Sequence, residues 1–124
     1  MAIIERKMHN YKKLLIWQKS MELVYETYEM TKNFPTEEKY GLTNQLKRCS
    51  VSIPSNIAEG TGKSSDKHFI IFLEHSLGSS FEWETQICIA LKLGYINQEK
   101  FNELEKRVNE IQNMIFSFKT KIKG

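Results

Sequence analysis

Seven apolar residues near the end of the chain, Phe101, Leu104, Val108, Ile111, Ile115, Phe118 and Ile122, are separated alternately by three and four positions. That spacing keeps them on one side of an α-helix, whereas a β-strand would scatter them over both faces, so it predicts one long amphipathic helix with a single apolar seam. Such a seam must be covered by other helices, and the rest of the chain has to supply them.

It does so three times. Leu14, Trp17, Met21, Val24, Tyr28 and Thr31 mark a first helix that stops where Phe34 precedes Pro35, because proline disfavours helical geometry in its neighbour. Thr36 is placed to cap a second helix carrying Leu42, Leu46, Cys49, Ile53 and Ile57 and ending in Gly60 and Gly62. Pro54 lies inside it and removes a backbone donor, so the reading predicts a kink near Ser50 to Pro54, or two abutting helices. A third helix begins at Ser64 or Ser65, with Asp66 at its positive end, and runs through Phe69, Leu73, Ser76, Ser80, Trp83, Ile87 and Leu91. Gly94 suits the left-handed end of that helix, and Asn97 the cap of the last. Long helices with short joints predict an all-α fold: an antiparallel up-down-up-down four-helix bundle, one domain over residues 1–124, with residues 1–12 as a basic N-terminal arm.

The stretch "GTGKSS" carries Gly62, Lys63 and Ser64 in the spacing of a nucleotide phosphate loop, but Ile57 stands where the first glycine belongs. The stretch also joins two helices, whereas a phosphate loop needs a strand to deliver it. No run of about 18 apolar residues suits a membrane span, and the charged start does not read as a signal peptide. Cys49 and Cys88 have no CxxC companion, so both are expected as buried thiols in a reducing cytoplasm.

The excess of positive charge is only +3, far from the strong basic balance that marks nucleic-acid binding on its own. Its distribution says more. In an up-down-up-down bundle the N-terminal arm, the joint between the second and third helices, and the C-terminus share one end. That end collects Arg6, Lys7, Lys12, Lys13, Lys63, Lys67, Lys119, Lys121 and Lys123 against Glu5, Glu59 and Asp66 in the same segments. Clustered lysines can neutralise phosphates without reading sequence, and Tyr11, His9 and His68 could stack on single-stranded bases.

Two surfaces exceed what one core needs. Ile16, Leu23 and Met30 form a second stripe nearly opposite the first on helix one, and Ile70, Leu77 and Phe81 widen the apolar arc of helix three. Both are expected at a homo-oligomer interface. Catalytic signals are weak: His9, His68 and His75 are widely spaced, neither Glu-x-x-His nor His-x-x-x-His occurs, Glu82 and Glu84 diverge on their helix, and there is no GxSxG elbow. The expectation is a protein without enzyme activity, metal or cofactor. Asn56 with Glu59, and Ser79 with Glu82, lie one turn apart beside the small Gly78. They are expected to hydrogen-bond across a close helix crossing, failing which they would line a pocket.

The segments "IWQKSMELV", "FPTEEKYGLTNQLKRCSVSIPSNIAEG" and "GSSFEWETQICIALKLGYI" resemble the 23S rRNA intervening-sequence protein family, over a region from about Tyr11 to Phe118. The resemblance implies a bacterial four-helix bundle that assembles as a homopentamer, and it carries Asn56, Glu59, Gly60, Gly78, Ser79 and Glu82 over as signature positions without a catalytic role. Ser76 and Cys49 stand where alanine is common in that family. A weaker likeness, at the level of the fold, is to the accessory variability proteins of diversity-generating retroelements, which engage nucleic acid and a reverse transcriptase through a basic surface. The reading is therefore a cytoplasmic homo-oligomer that binds RNA or DNA through Lys12, Lys13, Lys63, Lys67, Lys119, Lys121 and Lys123. A protein-interaction scaffold that binds no nucleic acid is the alternative.

Overall fold

The computed structural model describes residues 10–123, and for Lys123 the backbone alone; Arg6, Lys7, His9 and the Lys123 side chain of the expected basic end lie outside the described residues. A 3-10 turn at Tyr11–Lys13 leads into α1 (Leu15–Thr31); a second 3-10 turn at Thr36–Glu38 precedes α2 (Leu42–Thr61), and α3 (Asp66–Lys92) and α4 (Gln98–Lys123) complete the chain. No strand occurs among the described residues, and the fold is the all-α four-helix one that the seams predict.

The helix ends follow local chemistry. Ser65 caps α3 by accepting the His68 N–H, and the Asn97 side chain accepts the Lys100 N–H at 2.8 Å. Gly94, at φ +80°, takes the left-handed turn that releases the chain from α3. Thr36 is not the cap of α2. Its 3-10 turn instead presents Glu38, whose carboxylate accepts the Leu42 N–H at 3.0 Å and the Tyr95 hydroxyl at 2.7 Å. The same turn brings Phe34 against the Tyr95 ring, centroids 5.2 Å apart. α2 passes through Pro54 as a single helix, which sets aside the alternative of two abutting helices. The Ser50 hydroxyl donates to the Lys47 carbonyl within α2, and Ser76 of α3 donates to the Ile53 carbonyl at 2.8 Å, which ties α2 to α3 beside the proline.

Contacts between neighbouring helices pair rising numbers on one with falling numbers on the next. Lys19 meets Glu110 and Glu26 meets Lys100 across α1 and α4. Ser52 meets Ser79 and Ile53 meets Ser76 across α2 and α3, while Glu74 meets Lys119 and Glu84 meets Gln112 across α3 and α4.

The α4 seam is buried from Phe101 to Ile115 and half-buried at Phe118 and Ile122, and the α2 seam is buried throughout. On α1 both stripes reach the core: of the expected core stripe, Val24 and Thr31 are buried and Leu14, Trp17 and Met21 half-buried. Ile16, Leu23 and Met30, expected at an oligomer interface, are core residues at 3%, 1% and 7% exposure, whereas Tyr28 of the expected core stripe is exposed. Ser20 and Thr27 complete the stripe of Ile16, Leu23 and Met30, fully buried, with their hydroxyls bonded to the carbonyls of Ile16 and Leu23 four residues back. Two hydroxyl residues within the stripe hid it from a count of apolar side chains. Thr27 also accepts the indole N–H of Trp83 at 3.1 Å, which lets that large ring sit at 0% exposure in the centre of the bundle. Of the other residues expected at an interface, Ile70 is half-buried and Leu77 half-buried against the core, while Phe81 is exposed.

Candidate nucleic-acid interface

Three segments meet at one end of the bundle. Tyr11 of the first turn lines a groove with Ser55 and Ala58 of α2. Phe118 of α4 packs against Phe69 of α3, centroids 5.7 Å apart, and Leu15 shares a groove with Lys121. The lysines at positions 12, 13, 63, 67, 119 and 121 therefore share this end, but in different states. Lys119 donates to the Glu74 carboxylate at 3.1 Å and is largely buried beside it, and Lys63 lies 4.7 Å over the Phe72 ring and 3.9 Å from Glu59. Lys12, Lys13, Lys67 and Lys121 are exposed. Glu74 was missed as a counter-charge because it lies two turns into α3, outside the terminal segments. Of the stacking groups, Tyr11 is half-buried edge-on to Trp17 at 5.4 Å, and the His68 ring nitrogen Nδ1 is 2.7 Å from the Ser65 hydroxyl of its own cap. Free lysines at this end are thus the groups able to meet phosphates.

The signature residues separate into two kinds. Ser79 bonds Ser52 across α2 and α3 at 2.9 Å, while Asn56 donates to the Ser52 carbonyl and hydroxyl within α2, so of the polar signature residues Ser79 makes a bond across the crossing. Glu59 is exposed and turned to Lys63. The close crossing is at Gly60, where a Cβ would lie 2.7 Å from Phe69 and 3.0 Å from the Cβ of Phe72. Gly78 corrects the expectation: a Cβ there would meet nothing within 4 Å, so it does not serve the packing of this chain on itself.

Glu82 and Glu84 do point apart. Glu84 accepts from Gln112 at 2.9 Å and Asn109 at 3.3 Å on α4. Glu82 faces α2, where the Cys49 thiol donates to it; burial, then that carboxylate, push the thiol up to about 12 against a donation from Gln86. Around these groups lies a polar groove of about 320 Å³ that also reaches Asn44, Gln45, Arg48, Ser52 and Ser79. Ser79 and Glu82, which the sequence offered as pocket residues should they not pair, both line it, whereas Arg48, Cys49 and Gln86 carried no such signal because the walls come from two helices. Cys88, expected as buried, is exposed. Among the described residues no three His, Cys, Asp or Glu side chains gather as a metal site requires, and no helix is long and apolar enough to cross a membrane.

A solved structure with nearly the same fold is a protein of unknown function from the S23 ribosomal protein family of Bacteroides thetaiotaomicron, 25% identical, with a TM-score of 0.79 over 89% of this chain and 96% of that one. No curated protein matches the chain. The family described as 23S rRNA-intervening sequence protein matches residues 12–117, all four helices included but for residues 118–123 at the end of α4. With that match over most of its length and a bundle of the same shape, the chain belongs to the 23S rRNA-intervening sequence protein family.

Proposed function

We propose that this protein is a non-enzymatic, cytoplasmic homo-oligomer that binds RNA or DNA through the lysine-rich end of its bundle. The observation that carries the reading is the gathering of exposed Lys12, Lys13, Lys67 and Lys121 from three separate segments at one end. Lysine is a compact point charge, so the binding is to phosphates and reads little sequence. Assembly is supported by apolar side chains that the single chain leaves in solvent on the outer face of α3, Ile71, Phe81 and Ile89, around the open Gly78. A pentamer, as the family resemblance implies, would repeat the lysine-rich end around a ring and raise avidity without a new contact.

Labelled single- and double-stranded RNA and DNA titrated across a salt series test this. Affinity should fall steeply and linearly on logarithmic axes, and Lys67→Ala with Lys121→Ala should flatten the slope by about 2 if both contact phosphates. Salt-independent binding, or none at low salt, refutes the reading and favours a protein-interaction scaffold. One observation supports that second reading: a groove of about 770 Å³ between α1 and α4, floored by Leu15, Ile16, Met114 and Phe118.

A further inference from the structure

We propose that the polar groove between α2 and α3 is a binding site for a guanine base. Its two walls carry different chemistry. On the α2 wall stands the Arg48 guanidinium, which makes no ion pair with any carboxylate among the described residues, although Glu82 lines the same groove. On the α3 wall stand Glu82, holding only the Cys49 thiol, and Gln86, which is 7% exposed and whose Oε1 has no hydrogen-bond partner. That oxygen is itself sealed from solvent, so an occupant meets it only when the Gln86 amide turns toward the groove, and a buried carbonyl oxygen without a donor favours a turn that brings it an N–H. The hydroxyls between the walls are already committed to each other through Ser52 and Ser79.

The occupant must therefore bring adjacent N–H donors to the α3 wall and acceptors to the α2 wall. A phosphate fails, because a carboxylate and a carbonyl oxygen meet it on one side. Among the bases, guanine alone pairs a ring N–H with an amino group on one edge, three hydrogens for the carboxylate and the orphan carbonyl, while its O6 and N7 suit a bidentate arginine on the other. Adenine and cytosine offer an amino group without a ring N–H beside it, and uracil a ring N–H without an amino group. The groove volume of about 320 Å³ takes one base with room for its sugar to remain outside. The base can come from a free guanine nucleotide or from a single strand, and because guanosine carries no phosphate the site stands or falls independently of the lysine-rich end.

Titration of the full chain with the four nucleosides, read by calorimetry and by the amide side-chain shifts of Gln86 in 1H–15N spectra, tests the site. Guanosine should bind at least about tenfold more tightly than adenosine, cytidine or uridine. Glu82→Gln and Arg48→Ala should each weaken it about tenfold, with circular-dichroism melts confirming that both exposed-face variants fold. Equal binding of all four nucleosides, no binding of guanosine up to its solubility, or shifts confined to residues remote from the groove would overturn the proposal. Guanine-containing against adenine-containing single-stranded RNA, compared with 5′-GMP, then separates the sources: a guanine preference only within the strand marks a strand site, and equal affinity for 5′-GMP marks a free-nucleotide site. Lys67→Ala with Lys121→Ala should leave guanosine binding intact even where it abolishes RNA binding.

Discussion

Two glycines of the signature illustrate opposite uses of the same residue. At Gly60 the missing Cβ makes room for Phe69, itself pinned by the Phe118 ring, and for the Cβ of Phe72, which sits too near its backbone to yield. Gly60→Ala should lower stability by about 1–3 kcal/mol in urea denaturation. Gly78 lies mid-helix with open space around it, so Gly78→Ala in dilute, unassembled chain should raise stability by about 0.5–1 kcal/mol through helix propensity and reduced freedom of the unfolded chain. At the Thr27 hydroxyl, Thr27→Val keeps the shape but strands the Trp83 N–H in the driest part of the core, and a loss of about 1–3 kcal/mol is expected by the same measurement. Glycine and threonine are legible as letters, but which glycine is crowded is a property of the facing helix.

At the scale of elements, the start of α2 depends on charge. The Tyr95 hydroxyl, then the Leu42 N–H, hold the Glu38 carboxyl below its ordinary value of 4.5, and the Glu38 carboxylate in turn raises Tyr95 above its ordinary value of 10.0. For Glu38 the folded-state value is depressed, so its contribution is present above about 4.5 and is lost as pH falls through the folded value. For Tyr95 the folded-state value is raised, so its contribution is present below about 10 and is lost as pH rises through that value. Tyr95→Phe and Glu38→Gln should therefore each flatten both the acid and the alkaline limb of the stability profile measured by thermal melts at stepped pH. The "FPTEEKYGL" segment was legible as a helix stop and start, yet its cap was not: Glu38 acts through Tyr95, 57 positions away. Similarly, the α2 and α4 seams could be read directly because apolar residues mark them without interruption. The α1 core face could not, because Ser20 and Thr27 are polar letters that behave as small packed groups once their hydroxyls bond to their own helix.

At the scale of the whole molecule, the outer face of α3 is the surface on which assembly should depend. Phe81, 52% exposed, is the residue to change: Phe81→Asp should shift the sedimenting species toward the single chain while the far-ultraviolet spectrum of the bundle stays unchanged, and an unaltered sedimentation profile would place the interface elsewhere. The periodicity of the chain by itself determined four helices, the seams of α2 and α4 and the end at which the lysines gather, because the spacing of apolar residues and the short joints leave few other ways to bury so much hydrocarbon. How far each of the two stripes on α1 turns inward, which lysines are neutralised by Glu74 and Glu59, and that Arg48 and Glu82 share one groove were decided only in the tertiary structure. Each of those depends on the rotation of one helix about its axis against another, and that rotation is set by the side chains of the facing helix, which no single stretch of sequence contains.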